Sequence, residues 1–203
     1  MIFAGCGKIL VKRDIKWGIE KGFLAKPKFI IRNVPTLGVD FKNDKLKSYK
    51  EHVLNDVVMK QQILSDIQGY IAQGKSVLCL VDEVSHGEEL SKQLGIPFAQ
   101  GKDKDSNKYV EQLNAGTISG LIGTDGRIGE GTDTKRVDVL VLANFAASKG
   151  PVIQAIGRGL RIHPGKLECI VLDYIPQGST MLSRHANGRI GYFQEITLDV
   201  TII

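Results

Sequence analysis

Short, wholly apolar runs alternate along the chain with longer stretches whose apolar residues recur at helical spacing. The β-branched run KFIIRNV (28–34), behind Pro27, predicts a strand, as do SVLCLVD (76–82), IPFAQ (96–100), ISGLIGTD (118–125), VDVLVLANF (137–145) and LECIVLDYI (167–175). Between them the pattern predicts helices. A short one at 14–21 ends at Gly22. A long one at 46–71 opens behind Asn43–Asp44, carries Val53, Leu54, Val57, Val58, Ile63, Leu64, Ile67 and Ile71, and closes at Gly74. Further helices are expected at 85–94 before Gly95, at 107–114 before Gly116, and at 151–162. Strands alternating with helices, several strands apolar throughout, predict an α/β fold: a parallel β-sheet with helices on both faces. Ligands of such sheets bind beyond the carboxyl ends of the strands, so the motifs are expected there.

The 203 residues, 42% hydrophobic and 24% charged, fit an ordinary globular chain with one ample core. No apolar run is long enough for a membrane span, and Lys8, Lys12 and Arg13 stand where a signal peptide would carry its apolar segment. Cys6, Cys79 and Cys169 are widely spaced and odd in number, so a reducing cytoplasm is the expectation. The four histidines, 52, 86, 163 and 185, lack metal-ligand spacing and read as structural. His185 falls with Arg184 and Arg189 on an expected C-terminal helix, where a solvated face or a nucleic-acid contact fits.

The net charge of +5 is unevenly placed. Residues 1–60 hold 13 Lys/Arg against 6 Asp/Glu, so the whole basic excess lies in the first third. A polyanion-facing surface and a lysine-coated helix with its linker both fit that distribution.

Two motifs match chemistry that their surroundings do not favour. Gly69 to Ser76, GYIAQGKS, satisfies the P-loop pattern G-x-x-x-x-G-K-[ST]. A P-loop needs a strand before it and a helix opening at Lys-Ser, so that backbone N–H groups meet the phosphates. Here the order is reversed. DEVSH (82–86) imitates the acidic box that holds Mg²⁺ in helicases, yet only the strand 77–81 separates it from Ser76. Both cannot function together, and 82–85 is expected to end a strand and cap the next helix.

The second half is more specific. TDGRIGEGTD (124–133) packs Gly126, Gly129 and Gly131 behind a strand, where glycines let a ligand approach the backbone, and Asp133 can accept from a ribose hydroxyl. A flexible turn capped by Asp133 is the plainer alternative. Pro151 suits a first helical turn, and Gln154, Arg158 and Arg161 follow at spacings of four and three, predicting one shared face. Gly157 and Gly159 each cost roughly 1 kcal/mol inside a helix, which predicts close packing there. An amide and two guanidiniums on one face can grip a terminal phosphate and stabilise charge in phosphoryl transfer, or simply form a solvated basic face.

Together these segments resemble the second, RecA-like motor domain of superfamily 2 helicases, near the UvsW, XPB and type III restriction group. GKSVLCLVDEVSHGEELSKQLG is similar to motif IV, TDGRIGEGTDTKRVDVLVLA to motif V and QAIGRGLRIHPGK to motif VI; GIEKGFLAKPKF resembles the joining segment before the domain. The resemblance implies a joining segment and first strand over 1–44 and the helicase domain over 45–203. It implies Arg161 as the arginine finger, Arg158 as a γ-phosphate contact or coupling residue, and Gln154 as an organiser of that site. Gly131 and Asp133 would meet the nucleotide sugar, and Thr124 and Arg127 the nucleic-acid backbone. It further implies ATP and Mg²⁺ as cofactors held mainly by an N-terminal helicase domain that this chain lacks, DNA, branched or duplex, as partner with RNA left open, and no activity in the chain alone. Motif VI here reads QAIGRGLR without the arginine that follows the first residue in DEAD-box relatives, so RNA-helicase detail does not transfer. A stand-alone P-loop NTPase and a non-enzymatic interaction module are the alternatives, separable by Lys75→Ala and by salt-dependent DNA binding.

Overall fold

In a computed structural model, residues 14–101, 105–124 and 133–203 are described. After α1 (Ile15–Glu20) comes β1 (Lys26–Val34). Then follow α2 (Lys45–Tyr49), a π-helical turn (Lys50–Leu54), α3 (Val57–Ala72), β2 (Val77–Val81) and α4 (Val84–Leu94). β3 (Phe98–Ala99), α5 (Ser106–Ala115), β4 (Gly120–Thr124), β5 (Val139–Ala143) and α6 (Lys149–Gly159) lead to β6 (Glu168–Pro176), α7 (Thr180–Ile196) and β7 (Val200–Ile202). The strands form one seven-stranded sheet in the order β3-β4-β2-β5-β6-β1-β7, and every named pairing is parallel.

The apolar runs are apolar because both faces of the sheet are covered. All five residues of β2 and of β5 are buried, as expected of interior parallel strands. Alternate residues feed two separate cores. Leu78, Leu80, Leu140 and Val171 pack on one face with Ala155, Ile156, Ile190 and Phe193. Val77, Cys79, Val141 and Leu172 pack on the other with Met59, Ile63, Ile67 and Leu90. Phe29 of β1 stacks on Phe193 of α7 with ring centroids 4.3 Å apart. β1 is interior, paired over nine residues with β6 and on its other side with β7. β7 itself is a short edge strand that the hydropathy pattern did not single out. No helix among the described residues is long and apolar enough to cross a membrane.

Two expected helices have different limits. The helix over 46–71 is broken, because Asp56 leaves the helical backbone to cap α3, accepting from Met59 N at 2.8 Å and from Leu37 N at 2.7 Å. The π-helical turn before it holds His52 and Val53 in buried positions, and the His52 ring bonds the Thr36 hydroxyl at 3.1 Å and the Val39 carbonyl at 3.1 Å. The helix expected over 151–162 spans Lys149–Gly159 instead. Past it, the Leu160 carbonyl accepts from Ala25 N at 2.8 Å, and Arg161 pairs with Leu24 in an isolated antiparallel bridge. Arg161 therefore lies off the helix, and the shared face predicted for Gln154, Arg158 and Arg161 holds only for the first two. Gly159 bears out the expected close approach: a Cβ there would sit 3.0 Å from Leu140 and 3.4 Å from Cys169 Sγ, whereas one at Gly157 would meet nothing within 4 Å among the described residues.

Candidate functional site

Candidate residues stand at both ends of the sheet. Thr124 ends β4 at its carboxyl end, half-buried. Asp133 lies six residues before the start of β5, and Arg158 lies in the last turn of α6, which returns the chain to the amino end of β6. The expectation that all motifs gather beyond the carboxyl ends is therefore corrected: Asp133, Arg158 and Arg161 stand at the amino-terminal edge. Thr124 and Asp133, both in motif V, stand at opposite ends of the sheet, because the segment between them joins two parallel strands. Gly131 and Arg127 lie outside the described residues, as do Gly126 and Gly129.

At the amino-terminal edge the backbone of 133–136 is fastened by Asn114, near the end of α5. Its amide nitrogen donates to the Asp133 carbonyl at 2.6 Å, and its amide oxygen accepts from Lys135 N at 2.8 Å and Arg136 N at 3.3 Å. Thr134, wholly buried, donates its hydroxyl to the Arg158 carbonyl at 3.5 Å. The Asp133 carboxylate is thereby aimed at two cations, Lys135 at 3.0 Å and Arg161. Hydrogen bonds from Lys135 and then Arg161 hold it below the usual carboxylate range. Both partners of the Asp133–Arg161 pair are about half exposed, and such pairs contribute only ~0–1 kcal/mol to stability. The fold does not depend on this pair, so both groups remain adaptable to a ligand.

Gln154 is exposed one turn before half-buried Arg158 on the same face of α6. The structure thus brings Asp133, Arg158 and Arg161 together, sets Gln154 one turn away, and keeps Thr124 at the opposite edge. A cavity of about 260 Å³ opens beside this group, lined by Arg136, Asp138, His163, Pro164, Gly165 and Lys166. Asn114, Thr134 and Lys166 carry no motif signal: Asn114 and Thr134 bond backbone groups 19 and 24 residues away, and Lys166 gathers carbonyls from two segments.

The P-loop match does not have the geometry its pattern suggests, whereas DEVSH follows the end of β2 and opens α4 as expected. Gly74, at φ +74°, ends α3, and Lys75 N donates back to the Tyr70 carbonyl at 3.1 Å. Ser76 donates its N–H and hydroxyl to Asp138 at 2.9 and 3.0 Å, and β2 follows at once. Among the described residues no helix opens at Lys75–Ser76, so the turn lacks the helix N-terminus that meets the phosphates in a P-loop. The expected capping of α4 by 82–85 is corrected: Glu83 holds the N-cap position in extended backbone without a side-chain capping bond. His86 is buried, its Nδ1 3.2 Å from the Tyr49 hydroxyl, and burial pushes its pKa down to about 4.

The solvated face expected around Arg184, His185 and Arg189 is corrected in part. Arg184 is exposed, but Arg189 is buried against Asp173 in a two-pronged ion pair at 2.7 and 2.8 Å. Arg189 is thus a core cation and no nucleic-acid contact. Among the described residues no group of three or more His, Cys, Asp or Glu side chains gathers as a metal site.

No family model matches the chain. It is similar to the putative ATP-dependent helicase IRC3 of Saccharomyces cerevisiae, 27% identical over 180 residues, covering 84% of this chain and 26% of that protein. A shorter match of 45 residues, 22% of this chain and 7% of the other, is 47% identical to the putative mitochondrial ATP-dependent helicase irc3 of Schizosaccharomyces pombe. The fold matches the crystal structure of T4 UvsW with a TM-score of 0.67 at 15% identity, covering 88% of this chain and 41% of that one. It also matches the ATP-dependent Type ISP restriction-modification enzyme LlaBIII bound to DNA, with a TM-score of 0.66 at 13% identity, covering 100% of this chain and 17% of that one. The chain spans about a quarter of the length of the longer-matching curated relative.

Proposed function

We propose that this chain, similar at 27% identity to a putative ATP-dependent helicase and carrying an all-parallel RecA-like sheet, works as the C-terminal half of an ATP-dependent DNA helicase or translocase motor. On this reading a separate N-terminal helicase domain holds most of the ATP, supplies the P-loop lysine and binds Mg²⁺. Arg161 reaches across as the arginine finger and Arg158 contacts the γ-phosphate or couples it to motion. Gln154 organises that site, and Asp133 with Gly131 receives the nucleotide sugar. Thr124 and Arg127 contact the nucleic-acid backbone.

The observation that carries this reading is the separation of the two groups. Asp133, Arg158 and Arg161 stand at one edge of the sheet and Thr124 at the other. A five-residue strand spans roughly 17 Å, so the nucleotide and the nucleic acid would touch opposite ends of one rigid body. Closing that body on ATP then displaces the far edge along the strand, which a translocase requires. DNA is the polymer of this reading; of the similar structures, LlaBIII is bound to DNA and S. cerevisiae Dbp5 to RNA, so both polymers enter the test. The buried thiols Cys79 and Cys169 suit a reducing compartment, which the cytoplasm and the mitochondrial matrix both supply.

The test is Arg161→Ala in the assembled motor. Turnover should fall by about 10³–10⁵, the usual worth of an arginine finger, while nucleotide binding changes little. The chain alone should show negligible ATPase; robust DNA-stimulated hydrolysis by it would overturn the half-motor reading.

A further inference from the structure

We propose that Lys166 is the positioning residue for Arg161, an inference that rests on the arginine-finger reading. The ammonium of Lys166 has three donors and no acceptor. It donates to the carbonyls of Gly159 at 2.5 Å, Arg161 at 2.9 Å and Lys135 at 3.4 Å. Two of these carbonyls lie at and just beyond the end of α6, where helical carbonyls lack intrahelical partners and the helix dipole favours a cation. The third lies two residues after Asp133. One ammonium therefore ties the segment that carries Arg161 to the segment that carries Asp133.

The turn that delivers Lys166 is built for this return. Gly165 adopts φ +84°, and Lys166 N donates back to the His163 carbonyl at 2.9 Å. Burial lowers the pKa of Lys166, and the three carbonyls offset that desolvation. Arg161 leaves α6 at Gly159 and has no helical backbone to direct it. Its orientation is set by the Leu24 bridge on one side and by the ammonium on the other. Lys166 touches no nucleotide in this role; it fixes the backbone from which the guanidinium extends.

The experiment is a double-mutant cycle in the assembled motor, using Lys166→Met, which keeps the stem and removes the charge, with Arg161→Ala. Lys166→Met should lower kcat at least tenfold with KM for ATP unchanged, and should add nothing further in the Arg161→Ala background. An unchanged kcat, or an equal loss in both backgrounds, would overturn the proposal. If Lys166→Met does not fold, Lys166→Gln enters the same cycle. In the 203-residue chain, the Arg161 Nε–H NMR signal should broaden or shift in the Lys166 variant. An unmoved signal also overturns the proposal. Should Arg161→Ala leave turnover intact, the finger reading alone fails, and this NMR readout still reports whether Lys166 holds the segment.

Discussion

Arg189 offers the sharpest test of the packing. Its guanidinium and the Asp173 carboxylate are each 1% exposed. Besides the two-pronged pair, Arg189 donates to the carbonyls of Ala146 at 3.0 Å and Tyr174 at 3.3 Å, and its guanidinium lies 5.9 Å over the Phe145 ring. Arg189→Met keeps the aliphatic stem but strands the carboxylate, to which the N–H of Tyr174 still donates at 2.8 Å. Breaking a buried pair from one side costs about 3–5 kcal/mol. One term reduces this. Phe145 adopts φ +47°, a strained conformation for a bulky residue, and losing the bond to the next carbonyl lets that strain relax. A loss near 3 kcal/mol is therefore expected. At about 2–4 °C per kcal/mol for a chain of this size, Tm should drop by about 6–12 °C. Urea unfolding of the chain measures the same loss, and Arg189→Met with Asp173→Leu should recover most of it, because no charge is left buried. A single variant within about 0.5 kcal/mol of wild type, the usual range for surface changes, would refute the burial argument.

Three further outcomes follow from named contacts. His86, neutral in the fold with a pKa of about 4, titrates near 6.5 when unfolded, so the unfolded chain binds the extra proton between those values. Stability should be full above pH 6.5 and fall by about 3 kcal/mol toward pH 4; urea midpoints against pH should be flatter for His86→Leu, and an equal slope would count against the buried imidazole. A Cβ at Gly178 would lie 2.3 Å from the Thr36 carbonyl oxygen, so Gly178→Ala should lose about 1–3 kcal/mol in urea unfolding. Lys75 is exposed, so Lys75→Ala should change stability by no more than about 0.5 kcal/mol and leave nucleotide affinity, read by calorimetry, unaltered.

The strands were legible because burial on both faces writes an unbroken apolar run, as in VLCLV and VLVLA. Helix stops at Gly74, Gly95 and Gly116 were legible because a left-handed backbone there favours glycine. Motif order was legible too, and the RecA-like expectation it carried is matched by the fold. What the pattern could not convey was the fate of polar side chains. Asp56 breaks a helix by reaching Leu37, Ser76 bonds a carboxylate 62 residues away, and Arg189 finds Asp173 inside the core. Nor could it convey that Thr124 and Asp133 stand at opposite ends of the sheet, or that the Leu160 carbonyl past α6 accepts from Ala25 N.

By itself the sequence determined which segments are strands and helices and which faces they bury, since periodicity is a local record of burial. Only the tertiary structure decided the strand order, the edge at which Asp133 and Arg161 meet, and the burial of Arg189. Those outcomes depend on hydrogen bonds and ion pairs between residues far apart in the chain, and a polar residue's partner leaves no periodic trace.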